Sequence, residues 1–162
     1  MDRIGKIREN ELGKMSSQLH TILLVEDDAF DVRLLKRAFQ RANIAHHLQT
    51  VGDGDAAIDY LTGHNEYADR EKHPLPSLIL LDLKLPRKSG HEVLAWLRGQ
   101  PVLRRIPVVV LPSSPELADV NRAYDSGTNC YFVKPLAFDD LVAVVKTLES
   151  HWLVLNELPE VQ

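Results

Sequence analysis

Leu78-Ile79-Leu80-Leu81-Asp82-Leu83-Lys84-Leu85-Pro86-Arg87-Lys88-Ser89-Gly90 is the stretch whose reading decides the fold. Its first four residues are apolar without interruption, which reads as a strand buried on both faces, and the run stops at a carboxylate, Asp82. In open parallel sheets covered by helices, ligands bind beyond the carboxyl ends of the strands, so Asp82 is expected to face a crevice rather than the core. Pro86 blocks further strand pairing, and Ser89 is suited to cap a helix reaching about Arg98, with Val93, Leu94 and Leu97 as its apolar positions. The local order is strand, acid, loop, helix. Taken alone, Asp82 reads more readily as a polar strand terminator, so the rest of the chain must decide.

Upstream, Thr21-Ile22-Leu23-Leu24-Val25 is a second apolar run that ends in acid, at Glu26-Asp27-Asp28. From Ala29 the period becomes helical, with Phe30, Leu34, Leu35, Ala38, Phe39 and Ala42 on one stripe and Arg33, Lys36, Arg37 and Arg41 on the other. Asp27 or Asp28 can cap that helix, and Asn43 is its expected stop. His47–Val51 reads as a short edge strand. Asp53-Gly54 marks a turn into a helix carrying Ala56, Ala57, Tyr60 and Leu61, which ends near Gly63. Residues 64–77 are polar, contain Pro74 and Pro76, and are long for a loop; the sequence leaves their role open.

Downstream, Val108–Leu111 is another buried run. Ser114 and Pro115 look like the cap and first position of a helix bearing Leu117, Val120, Ala123 and Tyr124, with its stop at Gly127. Asn129–Val133 completes the strands and ends at Lys134-Pro135. A last helix spans Asp139–Leu148, with Leu141, Val142, Val144, Val145 and Leu148 as its apolar face. Strands alternating with helices in this way predict an α/β fold, a flavodoxin-like (βα)5 doubly wound parallel sheet of strand order 2-1-3-4-5. In that order the first and third strands are neighbours, and their ends are Glu26-Asp27 and Asp82.

With 162 residues, 44% hydrophobic and 26% charged, the chain has room for one proper core and no second. A net charge of -4 argues against a nucleic-acid surface spread over the domain. No apolar run approaches the roughly 20 residues that cross a bilayer, and the start lacks a secretory stretch, so a cytoplasmic protein without a membrane partner is expected. Cys130 is the single cysteine and is expected to be a buried core thiol. Residues 1–20 read as a flexible leader, 21–150 as the folded domain and 151–162 as an apolar tail containing Trp152, Leu153, Val154, Leu155 and Leu158. That tail either folds back on its own domain or packs on a second subunit.

Three carboxylates from two neighbouring strands then converge. At about 4 Å two such charges repel by roughly 4 kcal/mol at an effective dielectric near 20, so the cluster calls for a cation or a proton. Oxygen-only donors with open positions suit Mg2+. Lys134, at the end of the last strand, adds a fixed positive charge to the same edge. A metal, a nucleophilic carboxylate and an ammonium together describe a site that accepts a phosphoryl group, with Asp82 as nucleophile and an acyl phosphate as product. Each acid taken singly reads as a helix cap and the lysine as a solvated residue before proline. Their coincidence at one end of three buried strands favours the site.

Val25-Glu26-Asp27-Asp28, then Leu80-Leu81-Asp82-Leu83-Lys84-Leu85-Pro86 with Gly90 beyond, and Lys134-Pro135, resemble the motifs of the receiver domain of two-component response regulators. The resemblance covers Thr21 to Ser150. It implies that Asp82 is the phosphoacceptor, that Asp27 and Asp82 ligate Mg2+ directly, that Glu26 holds it through water and that the Lys84 carbonyl completes the protein ligands. Lys134 would contact the phosphoryl group, and Tyr131 matches the aromatic switch position that turns inward on phosphorylation. The loop before the third strand, the wording around Asp82 and the tail at His151-Trp152-Leu153 look most like the small stand-alone regulators paired with phytochrome histidine kinases. The implied partners are a histidine kinase, of the phytochrome type by this likeness, and a second copy of the chain docked through the fourth helix, fifth strand, fifth helix and tail.

One position departs from the family. Thirty residues after Asp82 and twenty-two before Lys134 stands Pro112, where receivers carry a Ser or Thr whose hydroxyl bonds a phosphoryl oxygen. Proline brings neither hydroxyl nor N–H, which leaves the backbone N–H of Ser113 as the remaining donor there and implies weakened or rewired switching. Three competing functions remain. A pseudo-receiver that binds partners without phosphorylation is favoured by Pro112 and opposed by the intact acids and lysine. A Mg2+-dependent phosphatase with an aspartyl nucleophile wants a general acid two residues after it, where Lys84 stands. Flavin binding lacks a phosphate-cradling loop after the first strand. The expected protein is therefore a phosphoacceptor rather than an ordinary enzyme.

Overall fold

In the computed structural model, residues 19–112 and 116–161 are described. The expected leader thus falls outside them up to residue 18, as do Ser113, Ser114 and Pro115. The elements are β1 (Thr21–Val25), α1 (Ala29–Arg41), β2 (His47–Val51), α2 (Gly54–Thr62), β3 (Leu78–Leu81), α3 (Gly90–Arg98), β4 (Val108–Val110), α4 (Leu117–Asp125), β5 (Cys130–Tyr131) and α5 (Phe138–Leu148). All strand pairs are parallel, in the order β2-β1-β3-β4-β5, so the predicted flavodoxin-like topology is the observed one.

The period of two along each strand divides the core into two layers. Ile22, Leu24, Leu78, Leu80 and Val109 face one side, where Leu35 and Phe39 of α1 and Leu141, Val145 and Leu148 of α5 cover them. Leu23, Val25, Ile79, Leu81 and Val108 face the other, against Tyr60 and Leu61 of α2 and Val93, Leu94 and Leu97 of α3. Each such side chain, fully buried, contributes roughly 1.5–3 kcal/mol, and that double burial is why β1 and β3 read as unbroken apolar runs.

Register then fixes where the acids go. Val25 pairs with Leu81, so the next residues, Glu26 and Asp82, emerge side by side at the carboxyl edge. Leu81 pairs with Val110 and Val110 with Tyr131, which brings the ends of β4 and β5 to the same edge.

Several boundaries differ from the sequence reading. Phe30 and Tyr124, assigned to apolar stripes, are 60% and 51% exposed. Phe30 sits in the first turn of α1, ahead of the part that lies over the sheet. The fourth helix begins at Leu117 after an N-cap at Glu116 that makes no side-chain capping bond, and the cap and first position expected at Ser114 and Pro115 lie outside the described residues. The last strand is two residues long, shorter than Asn129–Val133. Asn129 instead accepts the Val108 N–H through its side chain at 2.8 Å, and Val133 is exposed.

The tail folds back on its own domain. A π-helical turn over Glu149–Leu155 prolongs α5 and delivers Leu153, 2% exposed, into the layer with Leu35 and Phe39, where Trp152 and Leu158 also pack. Val161 reaches the opposite layer, and Arg105 donates to the Glu160 carbonyl at 3.2 Å. The 64–77 loop is also built in. Arg70 donates to the carbonyls of Tyr60, Leu61 and His73, and the Tyr60 hydroxyl donates to Pro74, so the loop covers the end of α2. No helix among the described residues is long and apolar enough to cross a membrane.

Candidate functional site

Local chemistry holds each acid in place. Asp28 is the N-cap of α1, its Oδ1 accepting from Phe30 and Asp31 at 2.8 and 3.1 Å, so the chain leaves β1 and turns sharply into the helix. Glu26 turns inward and accepts the Asp28 N–H at 3.1 Å. On the neighbouring strand, the Asp82 N–H donates to Val25, and Asp82 Oδ1 accepts the Lys84 N–H at 3.3 Å. Ser89 and Glu92 form a reciprocal capping box at the start of α3. Gly90 is required there. A Cβ on it would lie 2.2 Å from the Asp82 carbonyl oxygen and 2.7 Å from Leu83 Cα. The intervening loop is clipped to the start of α2 by Arg87 to Asp53 at 3.6 Å and Lys88 to Asp55 at 3.7 Å.

The result is a cluster in which one carboxylate oxygen each from Glu26, Asp27 and Asp82 lies within 4.8 Å of the others, with Glu26 and Asp82 buried and Asp27 exposed. Hard oxygen donors on one side and an open position at the exposed acid suit a small divalent cation that keeps some of its water. The Lys134 side chain, 9% exposed, ion-pairs with Glu26 and, at 3.1 Å, with Asp31. Burial pushes the Glu26 carboxyl up to about 7 against the pull of Lys134, and the Asp82 charge adds to the rise. For Lys134, burial works against the charged form, but Glu26, Asp82 and Asp31 outweigh it and hold the ammonium above the usual lysine range. A cation in the cluster would oppose the rise at Glu26.

Pro112 is buried, and its carbonyl accepts the Lys134 N–H at 2.9 Å, so the departing residue still ties the end of β4 to the lysine. The Ser113 N–H falls outside the described residues. Tyr131 packs with Leu83, Val110 and Ala123, and its hydroxyl is buried without a hydrogen-bond partner among the described residues. Burial, then the charges of Asp119, Glu116 and Asp82, raise its phenol pKa. Lys84 points its ammonium to Glu116 at 3.5 Å, linking the loop after β3 to the start of α4.

Two residues at this edge escaped the sequence reading. Asp31 is one; its signal was a further acid in the first turn of the helix that follows the acidic run. His91 is the other. Buried directly after Gly90, it meets Asp119 Oδ1 at 3.3 Å and so joins α3 to α4. A histidine between a glycine and an apolar stripe carries no signal that would distinguish it from a packed core residue.

This site can hold a divalent cation against an in-line phosphoryl acceptor, with an ammonium at hand for the added charge. Comparison with known proteins points the same way. Residues 22–146 match the family model described as the response regulator receiver domain. The chain is 45% identical over 138 residues to response regulator Rcp1 of Synechocystis sp., covering 85% of this chain and 92% of that one. It is 44% identical over 138 residues to the probable methanogenesis regulatory protein FilR2 of Methanothrix harundinacea, covering 85% and 86%. The solved structure of the phosphorylated cyanobacterial phytochrome response regulator RcpA superposes with a TM-score of 0.81 at 42% identity, over 88% of this chain and 100% of that one. The Mn(2+)-bound form of Rcp1 superposes with a TM-score of 0.76 at 44% identity, over 87% and 99%. This chain belongs to the response regulator receiver domain family and is related to the phytochrome response regulators.

Proposed function

We propose that this receiver takes a phosphoryl group onto Asp82 from a histidine kinase, Asp82 being the acid that ends the central strand β3 while Glu26 is engaged by Lys134. The observation that carries the reading is the meeting of Glu26, Asp27 and Asp82 within 4.8 Å beside a buried lysine. Asp27, Asp82 and Glu26, with the Lys84 carbonyl, are the groups that would hold Mg2+. The cation supplies charge neutralisation on the transferring oxygens. An Asp82 carboxylate oxygen bonds to phosphorus as the phosphorus–nitrogen bond of the donor phosphohistidine breaks, and the freed imidazole takes the bond pair and a solvent proton. Lys134 pairs with the added phosphoryl oxygens. The product is an acyl phosphate, and the protein acts as a signal carrier rather than as an ordinary enzyme.

The kinase is of the phytochrome type in this reading, which the likeness to Rcp1 and RcpA supports, and the compartment is the cytoplasm. Output passes through protein contacts, with a homodimer built on α4, β5, α5 and the tail. Incubation with acetyl phosphate and Mg2+, followed by mass spectrometry of intact protein and light scattering, tests both parts. Wild type is expected to gain one phosphoryl group and to shift in oligomeric state, and Asp82→Asn to do neither. A wild-type chain that stays unmodified would leave the pseudo-receiver reading, which Pro112 favours.

A further inference from the structure

The proposed phosphotransfer makes no use of the contact between Lys134 and Asp31. Asp31 sits in the first turn of α1, its backbone N–H fixed by the Asp28 cap at 3.1 Å, and its carboxylate reaches Lys134 Nζ at 3.1 Å. Among the described residues the ammonium is bonded to Glu26 and Asp31 and to no oxygen of Asp82. Two of its three donors are therefore drawn to the α1 side of the site.

We propose that Asp31 is a positioning residue that holds the Lys134 ammonium on the α1 side while Asp82 is unmodified, and that a phosphoryl group on Asp82 competes with it for that ammonium. This rests on the reading of Asp82 as phosphoacceptor. The side chains of the two present partners are unequal, Glu26 being 1% exposed and Asp31 27%. A buried carboxylate left unpaired is costly, whereas a partly solvated one is taken up by water. The ammonium accordingly keeps Glu26 and gives up Asp31. Release is felt in the first turn of α1, where the adjacent Phe30 is 60% exposed, so α1 carries a readout of phosphorylation that needs no hydroxyl at position 112.

Calorimetric titration of the full chain with beryllofluoride at saturating Mg2+ tests the competition, using wild type, Asp31→Asn, Asp31→Glu and Asp82→Asn. Loss of one charged hydrogen-bond partner predicts roughly tenfold tighter beryllofluoride binding by Asp31→Asn, with Asp31→Glu returning to the wild-type value. Mg2+ alone is expected to bind Asp31→Asn no more tightly than wild type, because a nearby carboxylate has been removed. A merely structural role at the helix start would change the melting temperature and leave the beryllofluoride affinity where it was. Equal or weaker beryllofluoride binding by Asp31→Asn, with wild type binding in an Asp82-dependent way, overturns the competition alone. Wild type binding no better than Asp82→Asn overturns the phosphoacceptor reading and the competition with it.

Discussion

Replacing Gly90 by alanine adds a single methyl group at the point where α3 begins and the Asp82 peptide passes beneath it. That methyl would lie 2.2 Å from the Asp82 carbonyl oxygen, 2.7 Å from Leu83 Cα and 3.0 Å from the Asp82 carbonyl carbon. Comfortable non-bonded contacts begin near 3.5 Å, so the backbone must yield by about 1 Å. All three obstructing atoms are main chain, and none can rotate away. The Gly90 N–H also donates to the Leu83 carbonyl at 3.0 Å, a bond that separation of the two segments stretches or breaks. Overpacking costs about 1–3 kcal/mol, and a buried amide left unpaired costs about 1–3 kcal/mol more. Alanine's better helix propensity returns at most about 1 kcal/mol.

These terms leave an expected net loss of about 1–6 kcal/mol, centred near 3. With an m-value of about 2 kcal/mol per molar urea, the midpoint should fall by about 1.5 M, and by at least about 0.5 M, at unchanged slope. Because the displaced peptide belongs to Asp82, acetyl phosphate labelling of the still-folded variant in dilute buffer should fall as well. A midpoint within about 0.3 M of wild type would refute the packing argument. Lost stability with full labelling would refute the claim that Gly90 positions the acceptor.

Leu153→Ala should cost about 2–5 kcal/mol, because Leu153 is 2% exposed in the core layer; a loss under about 1 kcal/mol by urea titration would mean that the tail is not docked. His46 accepts the His20 N–H through Nδ1 at 3.0 Å and must be neutral to do so, and its pKa is lowered, first by burial. The unfolded chain, with a histidine pKa of about 6.5, then binds more protons than the folded one. Stability present above that value should therefore fall as pH drops towards the lowered folded value, and His46→Gln should flatten the fall; urea midpoints at neutral and mildly acidic pH measure both. Asp82→Asn keeps the acceptor for the Lys84 N–H and removes a charge from the cluster, so it should be more stable than wild type in EDTA and gain less on adding Mg2+, as thermal melts will show.

What could be read from the residues follows how each part is stabilised. β1 and β3 lie between two helical layers, so their burial is written as continuous apolar runs, and the acids that end them stand out by contrast. β5 has two residues and leans on the Asn129 side chain, a polar substitute for strand pairing that leaves no apolar signature. Phe30 followed the helical period faithfully and is still exposed, because the period says which face a residue shares and not where along the helix the sheet begins. The tail's apolar content was legible. Its destination beside Leu35 and Phe39 was not, because that depends on the direction in which α5 and its π-turn leave the sheet. Asp31 and Lys134 are 103 residues apart, and their contact exists only once β5 lies beside β4.

The carboxyl edge works against the stability that the rest of the sheet provides. Carboxylate oxygens as close as 4.8 Å repel by about 3–4 kcal/mol per charged pair at an effective dielectric near 20. Lys134 answers for Glu26 and Asp31, and among the described residues neither Asp27 nor Asp82 has a cation in contact. Asparagine at either position would remove the repulsion, and at position 82 it would keep the acceptor for the Lys84 N–H, so fold stability alone does not account for these acids. A bound cation would account for them, because it turns the repulsion into affinity. The same reasoning sets the order of dependence within the site. The strand register brings the acids together, the acids create the demand for a cation, and the lysine divides its charge between the buried glutamate and whichever anion beside it is more strongly charged. Pro112 alters the last of these relations only in part, since its carbonyl still holds the Lys134 backbone while the hydroxyl that would have bonded a phosphoryl oxygen is missing. Under the proposed phosphotransfer, the lysine and its partner on α1 would therefore carry more of the response than the end of β4 does.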